Sequence, residues 1–90
     1  MNYEIPIPNN QPEWKIGPND SVTFNFKEDV THFEVVSHPD YFTPDVPSGG
    51  FMNGNVIGPY TANVKGKKVE FKYDPNKDDV ADTHTILIGN

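Results

Sequence analysis

The sequence predicts an all-β fold: a single small antiparallel β-sandwich of about seven strands. Three observations carry this. Apolar residues recur at every second position in several short runs, the period that turns one face of a strand toward a core. No window of ten residues shows a helical period free of proline or glycine. The apolar residues are also bulky. Six Phe, four Tyr and one Trp give large buried areas per residue, which suits a chain only 34% hydrophobic.

The plainest run is the last third of the chain. Tyr60, Ala62 and Val64 alternate with other residues, then Lys65-Gly66-Lys67 turns the chain, with Gly66 suited to a positive φ. Val69, Phe71 and Tyr73 alternate in the same way. An acidic loop follows, and then the short apolar run Thr83-His84-Thr85-Ile86-Leu87-Ile88. These read as three successive strands of one sheet that the earlier chain covers.

From the N-terminus, Tyr3, Ile5 and Ile7 alternate with Glu4 and Pro6. Pro6 lacks a backbone N–H, so this strand is expected on a sheet edge. After the Pro8–Pro12 loop, Trp14 and Ile16 mark a second short strand, and Gly17-Pro18-Asn19-Asp20 has turn chemistry. Ser21 to Lys27 sets Val22, Phe24 and Phe26 on one face. Thr31 to Ser37 sets Phe33 and Val35 on one face. With Glu28-Asp29 between them, these two strands are expected to form a hairpin. Residues 38 to 59 break the pattern with several prolines and glycines. A small hairpin at Asn53-Gly54, with Phe51-Met52 and Val56-Ile57 as arms, fits this stretch. The expected core is Trp14, Phe24, Phe26, Phe33, Val35, Val64, Phe71, Ile86 and Ile88.

Ninety residues make one domain, spanning 1–90. A chain of this length buries roughly 60–65% of its unfolded surface. The absence of cysteine removes disulfides, thiolate metal sites and a thiol nucleophile. Thirteen acidic residues face seven lysines, with no arginine and a net charge of −6. Arginine dominates base readout and bidentate phosphate contacts, so nucleic acid and anionic membrane are not expected partners. No apolar run approaches the roughly 20 residues of a membrane span, and Met1-Asn2-Tyr3-Glu4 does not open like a signal peptide. A cytoplasmic location is the expectation.

Four features are candidates for function. The long excursion of residues 38 to 59 carries Tyr41, Phe42, Phe51 and Met52 among prolines and glycines. Aromatics and methionine are enriched at interface cores, so this loop is the leading contact surface for a protein or a small ligand. The competing reading folds the same side chains back to plug one end of the sandwich. The acidic loop places Asp74, Asn76 and Asp78 at alternate positions, with Asp79 and Asp82 after them. Oxygen ligands so spaced suit a weak Ca²⁺ site. Asp79 stands where an EF-hand loop needs glycine, and Thr85 where it needs a bidentate glutamate. An Asp-rich turn is equally ordinary as a solvated connection.

The three histidines, His32, His38 and His84, are the third feature. His32 and His84 each follow a threonine near a strand start. If those strand ends meet, the rings converge with His38 or Met52 on Cu or Zn. Sandwich strands with histidines near their ends resemble cupredoxin-type domains in outline, as the strand count resembles immunoglobulin-like ones; both are Greek-key arrangements. The blue-copper thiolate that a cupredoxin implies has no residue here to supply it. A histidine packed at a strand edge is the plainer reading. Fourth, an unprotected edge strand offers a route to a homodimer by strand pairing. No serine lies in a Gly-x-Ser-x-Gly turn, and a sandwich this small has little room for a catalytic pocket. The leading expectation is therefore a non-enzymatic binding or protein-interaction module without a cofactor. A metal-binding domain and a structural or assembly subunit are the alternatives.

Overall fold

The computed structural model describes residues 1–75 and 82–90, with the backbone alone at Pro75 and Asp82. Nine strands are found among them: Asn2–Ile7 (β1), Glu13–Ile16 (β2), Ser21–Phe26 (β3), Val30–Val36 (β4), Phe42–Thr43 (β5), Gly49–Phe51 (β6), Val56–Ala62 (β7), Lys67–Pro75 (β8) and Asp82–Ile88 (β9). One 3₁₀ turn, Pro39–Tyr41, precedes β5. None of the helical structure among the described residues is long and apolar enough to cross a membrane.

Two sheets pack face to face. One has the order β1-β3-β7-β5, the other β2-β9-β8-β4-β6. Both are mixed. β1 runs parallel to β3 and β2 runs parallel to β9, and the remaining pairs are antiparallel. This corrects the all-antiparallel expectation. Its cause is the order in which the chain visits the sheets. Every connection from β1 to β8 passes from one sheet to the other, and among the described residues only β8 and β9 are consecutive strands that pair with each other.

Three expected pairings are corrected by the same fact. β3 and β4 are not a hairpin but face each other across the core. Lying side by side, Phe24 and Phe26 would share one face with Phe33. Lying opposed, the rings interdigitate, with Phe33 meeting Phe24 at 4.9 Å and Phe26 at 5.3 Å in edge-on geometry. The Asn53-Gly54 turn likewise joins β6 in one sheet to β7 in the other, so its arms do not pair. β7 leaves the company of β8 and β9 to pair with β3 and β5. Gly66 between β7 and β8 does take the positive φ expected of it, at 65°.

The core is built from the inward-facing residues of both sheets: Ile5, Ile7, Val22, Phe24, Phe26, Phe42, Tyr60 and Ala62 from one, and Ile16, Val30, Phe33, Val35, Val69, Phe71, Tyr73, Ile86 and Ile88 from the other. Val46, from the β5–β6 connection, completes it. Trp14 and Val64, expected at full depth, are only partly buried against this cluster. Trp14 lies on the edge strand β2, and Val64 lies past the end of β7, so each has neighbours on fewer sides. Pro6 sits on an edge strand as its missing donor requires.

Candidate functional site

The excursion of residues 38 to 59 divides into a part that builds the core and a part that faces water. Phe42 is 0% exposed and pairs with Ala62 at the edge of its sheet. Phe51 is half-buried, its ring stacked on Phe26 at 4.7 Å and edge-on to Phe33 at 5.8 Å. Tyr41 is half-buried and stacks on His38, with ring centroids 4.3 Å apart and planes 5° from parallel. These three side chains close the sandwich. Phe42 offers no surface to a partner.

Met52 and Val56 are different. They are 69% and 58% exposed. The turn between them is fixed by a dense set of hydrogen bonds. The Met52 N–H donates to Asn55 Oδ1 at 2.8 Å, and the Asn55 N–H donates back to the Met52 carbonyl at 3.0 Å. The Asn53 N–H donates to Asp29 Oδ1 at 2.7 Å, tying the turn to the β3–β4 connection. The Gly54 N–H donates to Phe26 O, and the Phe26 N–H donates to Asn55 O, both at 2.8 Å. With its backbone groups held, the turn displays two apolar side chains on a rigid base. Aspartate and asparagine at these positions supply the acceptors. Asn53-Gly54 was therefore a true turn signal, although the strands it joins lie in different sheets.

The histidines are not brought together. Alternation along a strand decides this. Phe33 and Val35 face inward on β4, so His32 faces outward, where its Nε2 lies 3.6 Å from Glu34 Oε1. Lys72 Nζ approaches the same carboxylate at 3.3 Å. His84 shares its face of β9 with Ile86 and Ile88 and points into the core, 8% exposed. His32 and His84 thus lie on opposite faces of one sheet. His38 stands beyond the end of β4, against Tyr41. Among the described residues no group of three or more His, Cys, Asp or Glu is placed to hold a metal ion. Of the acidic-loop candidates, Asp74 belongs to β8, opposite His32, while Asn76, Asp78, Asp79 and the side chain of Asp82 lie outside the described residues.

Sequence reasoning missed a buried polar cluster beneath the β1–β2 connection. The Asn9 N–H donates to Tyr73 Oη at 2.8 Å, and Asn9 and Gln11 exchange side-chain and backbone hydrogen bonds. His84 Nδ1 lies 3.1 Å from the Gln11 carbonyl, which can only accept, so the proton of the neutral ring sits on Nδ1. The His84 ring also stacks on Tyr73 and Phe71, at 5.7 and 5.3 Å. The chemistry is that of a fastening: the cluster pins an irregular segment over the open end of the core. Asn9 carries no sequence signal of burial, since Pro8-Asn9-Asn10 reads as solvent loop.

A cleft of about 200 Å³ is lined by Val36, Ser37, His38, Lys68, Val69 and Glu70. It is smaller than the roughly 300 Å³ at which small-molecule sites begin. Comparison with protein-family models, with curated proteins and with solved structures yields no match.

Proposed function

We propose that the protein is a non-enzymatic binding module that contacts a protein partner through the Met52–Val56 turn. The observation that supports this is the rigid display of two exposed apolar side chains by a turn whose backbone is hydrogen-bonded to Phe26 at the end of β3 and to Asp29 in the β3–β4 connection. Because the backbone beneath these side chains is already fixed, covering them carries no further cost of ordering the turn. Methionine adapts to the shape it meets. The chain reaches this turn through Phe51, whose stacking on Phe26 anchors it to the core.

The test uses a photo-crosslinking amino acid at position 52 in the cells that make the protein, with the same residue at exposed position 70 as control. A discrete adduct is expected at 52 alone. Val56→Asp should abolish it while changing the unfolding free energy by no more than the small range of surface substitutions, about ±0.5 kcal/mol. Equal labelling at both positions, or an adduct indifferent to Val56→Asp, sinks the reading.

A further inference from the structure

We infer that the free edge of β2 pairs with the same edge of a second copy, antiparallel, about a twofold axis through Trp14. The direction of the backbone groups leads to this. Among the described residues β2 is the outermost strand of its sheet. The Pro12 and Ile16 carbonyls accept from the Thr85 and Gly89 N–H groups of the β9 side, both at 2.9 Å. Even-numbered residues therefore face β9, and the N–H and C=O groups of Glu13 and Lys15 face outward. The Gln11 side-chain amide donates to the Glu13 carbonyl at 2.9 Å, which places that oxygen on the free edge independently. A carbonyl has a second lone pair for a strand partner.

In an antiparallel pairing centred on Trp14, Glu13 of each copy stands opposite Lys15 of the other. Both are hydrogen-bonded pairs, so four backbone hydrogen bonds join the strands, and each ladder position matches a carboxylate with an ammonium. The registers centred on residue 13 or 15 set like charges opposite each other, and that repulsion selects the Trp14 register. Within one copy Lys15 Nζ and Glu13 Oε1 are 3.9 Å apart and both side chains are well exposed, so both are free to re-pair. Trp14 meets its own counterpart in the close, non-hydrogen-bonded position, which covers the part of its ring that the core leaves open. The result is one ten-stranded sheet running through two copies.

The other edges lack these properties. On β1 the Met1 and Ile7 carbonyls accept from the β3 side, so Pro6 turns its donorless nitrogen outward. Glu4, the charge beside it on that edge, meets no cation in any twofold register. β5 and β6 are two and three residues long and carry no charge.

The interface is small, so the dimer is a reversible one, in the class of transient contacts. Analytical ultracentrifugation from micromolar to millimolar protein reads it, together with the fluorescence of Trp14, the only tryptophan. The wild type should dimerise with concentration and its emission should move to the blue. Lys15→Glu and Glu13→Lys should each weaken self-association roughly tenfold or more, because each sets like charges in both pairs. Mixing the two variants should restore a dimer, since every pair is then opposite in sign, and so should the double swap. A wild type monomeric to millimolar concentration overturns the inference. So do single variants that self-associate as the wild type does, with nothing gained on mixing.

Discussion

Asp20 shows how one side chain sets a local frame. Its Oδ2 accepts the Gly17 N–H at 2.8 Å and its Oδ1 takes the terminal ammonium of Met1 at 3.1 Å. The Gly17 hydrogen bond first, and the ammonium second, hold its carboxyl below the ordinary 3.8. A carboxylate whose folded pKa is depressed adds stability above its unfolded pKa and loses it as pH falls through the folded value. The melting temperature gap between wild type and Asp20→Asn should therefore be widest at neutral pH and narrow below about pH 4. A gap that stays constant down to pH 2 would deny the carboxylate this role. At this scale the sequence was most legible where parity rules. Phe24, Phe26, Phe33, Val35, Phe71, Ile86 and Ile88 are buried as expected. Phe42 is buried as the competing plug reading had it, while Val46 was not legible as core, because no period marks a side chain that enters from a connection rather than from a long strand. Of the loop candidates, Met52 alone is strongly exposed, and Val56, which shares its turn, was read as a hairpin arm.

The longer strands were legible as strands, but their partners were not, and of the short strands inside residues 38 to 59 β5 was not read and β6 only in its Phe51 arm. Period two says that a segment has an inner face; it is silent on which neighbour lies at its edge. The β3–β4 and β6–β7 connections are short enough for hairpins, and the chain uses them as crossings instead. Gly58 marks how the crossing at β7 is accommodated. It has a φ of +120° where the β3–β7 register shifts between Val22 and Phe24. A Cβ there would lie 2.9 Å from the Val22 carbonyl oxygen and 3.0 Å from Thr23 Cα, both backbone atoms with little room to retreat. Gly54, at φ +96°, has nothing within 4 Å of its would-be Cβ. The two glycines separate strain from collision. Gly54→Ala should cost about 1–2 kcal/mol from conformation alone. Gly58→Ala adds a collision and should cost about 2–4 kcal/mol. Urea titrations of both variants read the difference, and equal losses would show that the strand shifts freely at position 58.

The whole molecule inherits one property from its path. Because consecutive strands up to β8 lie in opposite sheets, neither sheet is a continuous piece of chain. β1 reaches β3 only after the chain has passed through β2 in the other layer, and β2 waits for β9 at the far end of the sequence. Neither layer can be completed before the other has been threaded. Burial binds them further. Phe24 of one sheet meets Phe33 and Phe71 of the other at 4.9 and 5.4 Å, and Tyr60 of its own at 6.4 Å. Removing that ring takes contacts from both layers at once. Phe24→Ala should cost about 3–5 kcal/mol, the range for a fully buried aromatic. The sharper expectation concerns where the loss falls. In a cooperative unit, amide exchange in the best-protected strands proceeds through global opening. Protection in β3 and β7 should then fall by the same free energy as protection in β8 and β9, though the substitution lies in one sheet only. Two sheets able to open separately would confine the loss to β3 and its neighbours, and would give two transitions in place of one. The interleaved path forbids that result, since opening either layer pulls on connections anchored in the other.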